Sequence, residues 1–436
     1  MNYSLGNMLN GGESLNADGL SLDLQFATDK TLTARKGPTP VFTRASTATF
    51  VGSNGLIQSA AINDARFDHD PSTLVSRGLL IEESRTNLAL RSADFTSVSW
   101  VKSNSTISGT LYTDPTGAST ANELVEDTLL NNHTCQQSVG AATIGVTYTF
   151  SVFVKRKDTS NQFMLIGASG LASTAFMSVN LTNGVTATSI GSPAAPINVS
   201  STAYPNGWYR VQFSIVATNA ATIVLDIRLS RDGTWANRSY LGDGVQSSLV
   251  WGAQVEAGAF PTSYIPTTTA SVVRSADVCS ITGANFSGSN FYNQSEGTLF
   301  ADVIGLMDTT ISGGRQFVVF SDNTYANTIG IVKQSGTAFL QASARTSNVS
   351  QFTFSNVYVP LTRYKVAIGM KANDANVAFN GSLGTTVTSV TMPSTISELE
   401  LRDPTGASAG QPTCHIAAIR YYKKRLANAK LQTLTT

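Results

Sequence analysis

Charge is the scarcest property of this 436-residue chain. Asp, Glu, Lys and Arg make up 13% of the residues, against about 25% in typical soluble domains. The 29 basic side chains nearly cancel the 28 acidic ones and leave a formal net charge of +1, which excludes a field that would attract nucleic acid. Because a solvated catalytic domain usually carries more charge, the composition favours a subunit that buries part of its surface in an assembly.

Cysteines and long apolar runs are also scarce. Cys135, Cys279 and Cys414 are odd in number and far apart, which excludes a disulfide framework or a cysteine-based metal cluster and fits folding in a reducing cytoplasm. No stretch of about 18 apolar residues is present to span a bilayer, so we predict no membrane insertion. Residues 1–20 are polar and unlike a signal peptide, so we expect no export by the general secretory route.

Strand signals are what the sequence has in quantity. Residues 147–155, 208–216 and 221–229 place β-branched or aromatic residues at a spacing of two, which predicts strands with one buried face. Turn sequences such as Asn183-Gly184 and Asp232-Gly233 separate such segments, as in antiparallel hairpins. The regular strand–helix alternation of a parallel α/β fold is absent. We therefore predict an all-β chain.

A second series of strands begins near Glu296. These strands are predicted at 316–320, 328–332, 338–342, 351–359, 364–370 and 377–381, the last running into an Asn-Gly turn. The chain then ends in a strand and one short helix, whose Leu426 and Leu431 we expect on the edge of a sandwich. The length allows two or three cores. We predict two tandem antiparallel jelly-roll β-sandwiches, at 90–275 and 285–436, after an extended N-terminal attachment region at 1–89.

Two segments frame the first sandwich. Residues 251–258 are typical of the last strand of a sandwich. The Pro-bounded stretch that follows them is typical of a segment by which the chain leaves that sandwich, and we call it the exit segment. Residues 78–88 form a matching entrance. Trp208 and Trp251 lie within strands, so we assign them to the core, whereas Tyr264 is either a surface aromatic or a contact to a neighbouring subunit.

The two predicted sandwiches resemble known jelly rolls. The C-terminal one resembles the concanavalin A-like lectin and laminin-G fold through Gly297-Thr298-Leu299-Phe300, Phe379-Asn380-Gly381 and Tyr421-Tyr422. The middle one resembles carbohydrate-binding modules through Tyr148-Thr149-Phe150-Ser151, Gly207-Trp208-Tyr209-Arg210-Val211 and Trp251-Gly252-Ala253-Gln254. Folds of this kind host binding, packing and catalysis alike.

A third resemblance concerns the ends of the modules. Phe42 to Phe50, together with Gly78 to Leu88 and Arg274 to Asp277, is similar to tailed-bacteriophage virion proteins of the fibre or spike kind. This resemblance implies a virion protein, assembled in the host cytoplasm, that contacts host-surface polysaccharide and binds other virion proteins through its N-terminal region. Such proteins are typically trimers. Because no heptad run is present, we predict a homotrimer formed through sandwich faces or arms.

Two other functions remain open at this point. One is a structural head fibre, decoration or tail subunit without a receptor, and the other is a polysaccharide-degrading tailspike. The alternating stretch Leu20 to Phe26 also has two interpretations. It either adds to a neighbour's sheet edge or pairs within its own chain, and the local pairing is favoured.

Glycan binding on β-sandwiches generally uses an exposed aromatic platform with polar flanks. Trp235 lies between predicted strands, with Asp232, Arg238 and Tyr240 near it in sequence, and we predict a glycan site there. The alternative is that Trp235 covers the end of its own core.

Catalytic and metal-binding patterns are weak. Asp68-His69-Asp70 is predicted to lie in a solvated loop, His133 and His415 are isolated in sequence, and neighbouring Glu82 and Glu83 point to opposite faces of a strand. No nucleophile or phosphate-loop motif is present, so we predict no enzymatic activity and no cofactor. The sandwich resemblance allows a structural calcium ion. However, the repeated Asp-Pro-Thr-Gly at 114–117 and 403–406 fits type I turns, and we assign no metal ligand.

Overall fold

The structure is a computed structural model that describes residues 18–157, 162–171, 173–189, 191–309, 311–406 and 410–436. Within these residues the chain is mostly antiparallel β-sheet, which confirms the all-β prediction. Four large sheets form two jelly-roll-type β-sandwiches. None of the helices in the described part of the chain combines the length and the apolar character needed to cross a membrane.

Sheets 1 and 2 form a sandwich that we call the outer sandwich. In spatial order, sheet 1 contains β31 (Ser382–Leu383), β30 (Asp374–Phe379), β29 (Arg363–Lys371), β24 (Glu296–Gly305), β33 (Cys414–Tyr422), β6 (Ser76–Ile81) and β5 (Phe67–His69), with β1 (Leu20–Leu24) also paired to β33. Sheet 2 contains β2 (Val41–Thr43), β23 (Val278–Ile281), β32 (Glu398–Glu400), β25 (Arg315–Ser321), β26 (Thr328–Lys333), β27 (Phe339–Thr346) and β28 (Val349–Val357).

Sheets 3 and 4 form a second sandwich, the inserted sandwich. Sheet 3 contains β17 (Ile197–Tyr204), β18 (Trp208–Val216), β13 (Thr147–Arg156), β21 (Ser247–Ala257), β10 (Ser119–Glu126) and β9 (Ser105–Thr113). Sheet 4 contains β16 (Thr186–Thr188), β15 (Ala175–Asn180), β14 (Phe163–Ser169), β19 (Thr222–Ser230), β12 (Thr134–Ala141) and β8 (Val101–Ser103).

Three short ribbons, three short α-helices and one 3₁₀ turn at Pro205–Gly207 complete the described elements. The ribbons pair β11 (Leu130–Asn131) with β20 (Tyr240–Leu241), β22 (Val272–Arg274) with β7 (Arg85–Asn87), and β3 (Ala48–Val51) with β4 (Ile57–Ala60). The helices are α1 (Phe26–Asp29), α2 (Gly283–Ser287) and α3 (Asn428–Thr435).

The order of the modules differs from the predicted linear order. Leu24 pairs with Ile419, Phe42 with Cys279 and Leu80 with His415, so residues from the predicted 1–89 arm supply strands to both sheets of the outer sandwich. The other sandwich is therefore inserted between two parts of the outer one, because strands from both parts bury their apolar faces in one core. The predicted pairing of Leu20 to Phe26 within its own chain is confirmed for β1, but its partner is the distant strand β33 and not a strand near it in sequence. Residues 1–17 of the predicted attachment region lie outside the described residues.

The predicted alternation of side chains is present in the strands. Phe150, Val152 and Val154 of β13 point into the core of the inserted sandwich, while Phe153 belongs to a separate cluster on the other face of sheet 3. The predicted Asn-Gly turn is also found, because Asn380 and Gly381 adopt positive φ angles of 44° and 80° between β30 and β31.

Helix α3 covers part of the outer face of sheet 1. Leu426 and Leu431 are buried there in a cluster with Phe300 and alanines of sheet 1. At Gly369 an added Cβ would lie 3.2 Å from a methyl group of Leu431, so small residues allow the helix to approach. The two leucines are buried as expected, but on the face of the sheet and not on its edge.

We expect Leu431→Ala to lower the free energy of unfolding by about 2–5 kcal/mol, because it opens a cavity between α3 and sheet 1. Leu434→Ala, which changes a partly buried leucine of the same helix, should have a smaller effect. Urea unfolding of both full-length variants measures the difference. Equally small losses would contradict tight packing of α3.

Candidate functional site

The chain crosses between the two sandwiches twice, and the two crossings are tied together. The strands β7 and β22 pair antiparallel. Asn87 then donates from Nδ2 to the carbonyl oxygens of Ala253, at 3.1 Å, and Ile265, at 2.8 Å, while its Oδ1 accepts from the Val255 N–H. The entrance and exit segments identified in the sequence are therefore the two sides of one junction.

Buried polar side chains of β21 hold the exit segment. The Oε1 of Gln254 accepts from the Ile265 N–H at 2.6 Å, and the carboxylate of Glu256 accepts from both the N–H and the hydroxyl of Thr262. A positive φ of 63° at Gly252 accompanies a register shift of β21 against β13. This bulge changes the face of sheet 3 on which the following side chains lie, so that Gln254 and Glu256 point toward the exit segment.

The aromatic residues of the junction pack around the exit segment. Trp208 and Trp251 are buried as predicted, but in a cluster with Phe153 and Tyr264 on the outer face of sheet 3 and not in the core of the sandwich. Tyr264 is 4% exposed, and its hydroxyl lies 2.7 Å from the Ser92 Oγ. It is therefore an internal contact of the junction.

A buried ionic network lies beside these aromatics. The Arg66 guanidinium contacts the Glu82 carboxylate at 2.6 Å and the Asp277 carboxylate at 2.5 Å. Arg44 lies 3.2 Å from Asp277, and Arg274 lies 2.9 Å from Glu82. All five side chains are at most 1% exposed. Four of the five come from the segments that resemble phage virion proteins, so those segments form a structural junction.

The network controls the ionisation of Glu82. Although burial alone raises a carboxyl pKa, the charges of Arg274 and Arg66 and hydrogen bonds from Ser263 hold the pKa of Glu82 well below the usual range. Ser263 donates its N–H at 2.7 Å and its hydroxyl at 2.6 Å to this carboxylate. Glu83 instead pairs with Arg85, so the two glutamates occupy separate sites, as predicted.

A cleft of about 400 Å³ lies between the two sandwiches next to this network. Asp68, Leu80 and His415 line it from sheet 1, and Phe153 and Arg210 line it from sheet 3. These side chains lie on strand faces opposite the two sandwich cores. The cleft is thus bounded by the outer faces of two sheets.

The cleft is open to solvent. Asn198 and Thr202 of β17 and Leu361 of the opposite wall line it and are exposed. Half-buried Phe50 and Tyr204 line it further in. Its volume falls within the range of about 300–1,000 Å³ of small-ligand sites, which combine apolar walls with a few polar groups.

Asp68 and His415 form a buried pair in the cleft. Asp68 accepts from the Val51 N–H at 2.6 Å and lies 2.7 Å from His415 Nε2, while His415 Nδ1 is buried without a partner among the described residues. The prediction of a solvated loop at Asp68-His69-Asp70 is wrong for the first two residues, because Phe67–His69 is the strand β5 and both side chains are buried. His415 is likewise not isolated in space.

Arg210 and Tyr204 provide further unsatisfied groups in the cleft. Arg210 Nη2 donates to Ser151 Oγ at 3.0 Å, its guanidinium carbon lies 5.6 Å from the centre of the Phe153 ring, and its Nε is buried without an acceptor. Tyr204 packs edge-on to Phe153 at 5.0 Å between ring centroids. Burial raises the pKa of Tyr204 to about 12, so its hydroxyl stays protonated near neutral pH.

The predicted Trp235 site differs from the cleft because other side chains already contact its aromatic ring. The Trp235 ring lies 4.5 Å from the Phe176 ring, and the Arg238 guanidinium lies 4.3 Å from its centre. Asp232 accepts hydrogen bonds from Thr234 and Asn237 in its own loop. The structure thus places Trp235 and Arg238 in contact, but the ring is already engaged by side chains of its own chain.

Tyr240 and His133 lie beside a buried glutamate and not on a sugar platform. Tyr240 donates its hydroxyl to Glu126 at 2.8 Å, and its ring lies 4.6 Å from that of His133. Together with the engaged Trp235 ring, this arrangement makes the loop a compact structural unit. The prediction of a glycan site at Asp232, Trp235, Arg238 and Tyr240 stays a prediction.

The candidate metal-binding loops are closed by their own hydrogen bonds. Asp114 Oδ1 accepts from the N–H and the hydroxyl of Thr116, and Asp403 Oδ1 does the same with Thr405. In each loop the Asp carbonyl accepts from the N–H of the following Gly at 3.0 Å, as in a type I turn. Across the described ranges no group of three His, Cys, Asp or Glu side chains is placed to hold a metal ion.

The three cysteines are buried and free. Burial raises the pKa of the Cys135 thiol to about 12 and also raises those of Cys279 and Cys414. The thiolate form that reacts as a nucleophile is therefore disfavoured at all three positions.

Comparison with known proteins gives no family. No protein-family model matches the sequence, and no curated protein matches it. Among solved structures, the chain is similar to the CBM40 of a Ruminococcus gnavus sialidase bound to α2,3-sialyllactose, at 12% identity and TM-score 0.28, over 33% of this chain and 84% of that one. Domain 4 of the Geobacillus stearothermophilus arabinanase AbnA, in complex with arabinotriose, matches at 9% identity and TM-score 0.30, over 40% and 81%.

A third similar structure is the SAP-like pentraxin of Limulus polyphemus, at 12% identity and TM-score 0.27, over 32% of this chain and 70% of that one. At such TM-scores these matches assign neither a family nor a ligand to this chain.

We expect Glu82→Gln to lower the free energy of unfolding by about 3–5 kcal/mol, because it leaves Arg274 and Arg66 buried with one fewer countercharge. Asp29→Asn, which breaks the exposed pair with Arg35, is the control and should cost at most about 1 kcal/mol. Chemical denaturation at pH 7 measures both. Equal losses would contradict a special role of the network.

The contribution of Glu82 to the free energy of unfolding depends on pH in a defined direction. Since the folded-state pKa of Glu82 is lowered, its contribution is fully present above the unfolded value of about 4.3 and is lost as the pH falls toward the folded value. The gap between wild type and Glu82→Gln should therefore be constant from pH 7 to 6 and shrink below about pH 4.

Proposed function

We propose that this chain is a non-enzymatic glycan-binding structural protein of a bacteriophage virion, of the tail fibre or spike kind. The cleft between the sandwiches is the observation that supports glycan binding. A sugar offers apolar C–H faces and hydroxyl edges, and the cleft combines the aromatic side chains of Phe50 and Tyr204 with polar groups that lack partners.

Display on a virion is supported by the sequence resemblance and by the sheet edges. The edge strands β9, β17 and β28 contain no charged residue, and such edges invite association with another strand. Together with the low overall charge, they support the predicted homotrimer. In this proposal the N-terminal region contacts other virion proteins, and the protein is located in the virion after assembly in the host cytoplasm.

Two alternative functions are each supported by a specific feature of the structure. A head decoration or tail subunit without a receptor would use the same sheet edges and leave the cleft empty. A polysaccharide-degrading tailspike would need two carboxylates on either side of a glycosidic bond, and Asp68, Glu82 and Asp308 line the cleft. Glu82 is already held by Arg66, Arg274 and Ser263. Asp68 is already engaged by the Val51 N–H and His415, which favours binding over catalysis.

The full-length protein should be retained on host cells and on extracted surface polysaccharide without releasing new reducing ends. Retention and reducing ends are measured in the same samples, with a known depolymerase as the positive control for release. Release that depends on the protein would establish the tailspike alternative. No retention on any host polysaccharide would favour the structural subunit.

Tyr204→Ala should weaken polysaccharide binding about tenfold or more, since an aromatic contact to a sugar and a hydrogen bond are both lost. Trp235→Ala in the same assay tests the loop site predicted from the sequence. Unchanged melting temperatures show that both variants are folded. Loss of binding in Trp235→Ala with normal binding in Tyr204→Ala would assign the site to the loop instead of the cleft.

A further inference from the structure

We propose that the cleft selects saccharides that carry a carboxylate, and that Arg210 is the residue that binds this group. This inference rests on the proposed glycan-binding function and specifies its ligand class.

The arginines near Arg210 are balanced by carboxylates, but Arg210 is not. Arg66 and Arg274 share Glu82 and Asp277 in the network, and Arg77 lies 2.7 Å from Asp70. Among the described residues Arg210 has no ion-pair partner, and its one hydrogen bond is to the neutral hydroxyl of Ser151. A half-buried guanidinium with unsatisfied N–H groups is costly to keep in a folded protein.

The surroundings of Arg210 hold it in a fixed orientation. Its guanidinium lies near the face of the buried Phe153 ring, and Ser151 fixes Nη2. Both contacts leave the Nε–H of Arg210 buried without an acceptor among the described residues. A carboxylate supplies acceptor oxygens and the missing negative charge, and the planar guanidinium matches its geometry. Partial burial also limits competition from water and salt.

The other unsatisfied groups of the cleft fit the sugar that would carry this carboxylate. The Tyr204 hydroxyl has no hydrogen-bond partner among the described residues and lines the same cleft. If His415 donates from Nε2 to Asp68, its unpartnered Nδ1 is an acceptor, which suits a sugar hydroxyl. A small carboxylic acid would satisfy Arg210 alone, whereas a saccharide also satisfies Tyr204 and His415.

The first experiment compares matched saccharides on the full-length protein. Oligosaccharides of galacturonic acid, glucuronic acid and N-acetylneuraminic acid are each paired with their carboxyl-reduced forms, which keep the sugar rings and linkages but lack the charge. Calorimetry should show at least one acidic member bound about tenfold or more tighter than its reduced form, since a charge-assisted hydrogen bond is roughly twice as strong as a neutral one. This preference should decrease as NaCl is raised.

Variants then assign the preference to Arg210. Arg210→Gln should remove the difference between the acidic and reduced forms, and Arg210→Lys should keep part of it because the charge remains without the planar fork. Arg345→Gln, which changes an exposed arginine on β27 of sheet 2 outside both candidate sites, is the matched control and should bind like wild type. Thermal unfolding confirms that each variant is folded.

The outcomes separate the two proposals. Binding of neutral or reduced saccharides that Tyr204→Ala weakens, without preference for any acidic form, overturns the carboxylate inference and leaves the proposed function standing. A preference for acidic forms that Arg210→Gln retains overturns the assignment to Arg210. Binding of none of these saccharides and of no host polysaccharide overturns both proposals.

Discussion

The buried contacts of Arg66 with Glu82 and Asp277 are the interaction on which the junction of this structure depends. Removing these charges from water is costly, and their mutual attraction offsets that cost only when every partner is in place. The partners lie on segments that precede and follow the inserted sandwich. The ionic contacts therefore tie together the segments before and after the inserted sandwich, and no partner can separate singly without leaving a buried charge.

The position of the cleft follows from how the outer face of sheet 1 is covered. Leu431 of helix α3 and Leu426, which precedes the helix, cover one part of that face, where sheet 1 presents alanines. The part near Asp68 and His415 is polar, and it faces sheet 3 of the inserted sandwich across the cleft. Because the crossings hold the sandwiches in place, these polar groups meet a cleft and not a closed apolar interface.

The local pattern of apolar and polar residues predicted where the strands lie, but it did not fully predict which face of each strand packs in a sandwich core. The predicted strand 364–370 corresponds to β29, Arg363–Lys371, because a spacing of two is a property of each strand alone. The same alternation cannot tell which face meets the core. Trp208 and Trp251 are buried as predicted, yet they pack on the outer face of sheet 3, because the junction covers that face as well.

The sequence by itself determined the all-β character, most strand positions, the turns at Asn380-Gly381 and Asp114 to Gly117, and the importance of the segments around residues 42–50, 78–88 and 251–277. Only the tertiary structure decided that one sandwich is inserted in the other and that Asp68 meets His415, which lies 347 positions further along the chain. Alternation and turn chemistry act over a few neighbouring residues, whereas partners at such separations are chosen by the closure of a shared core and by the pairing of buried charges.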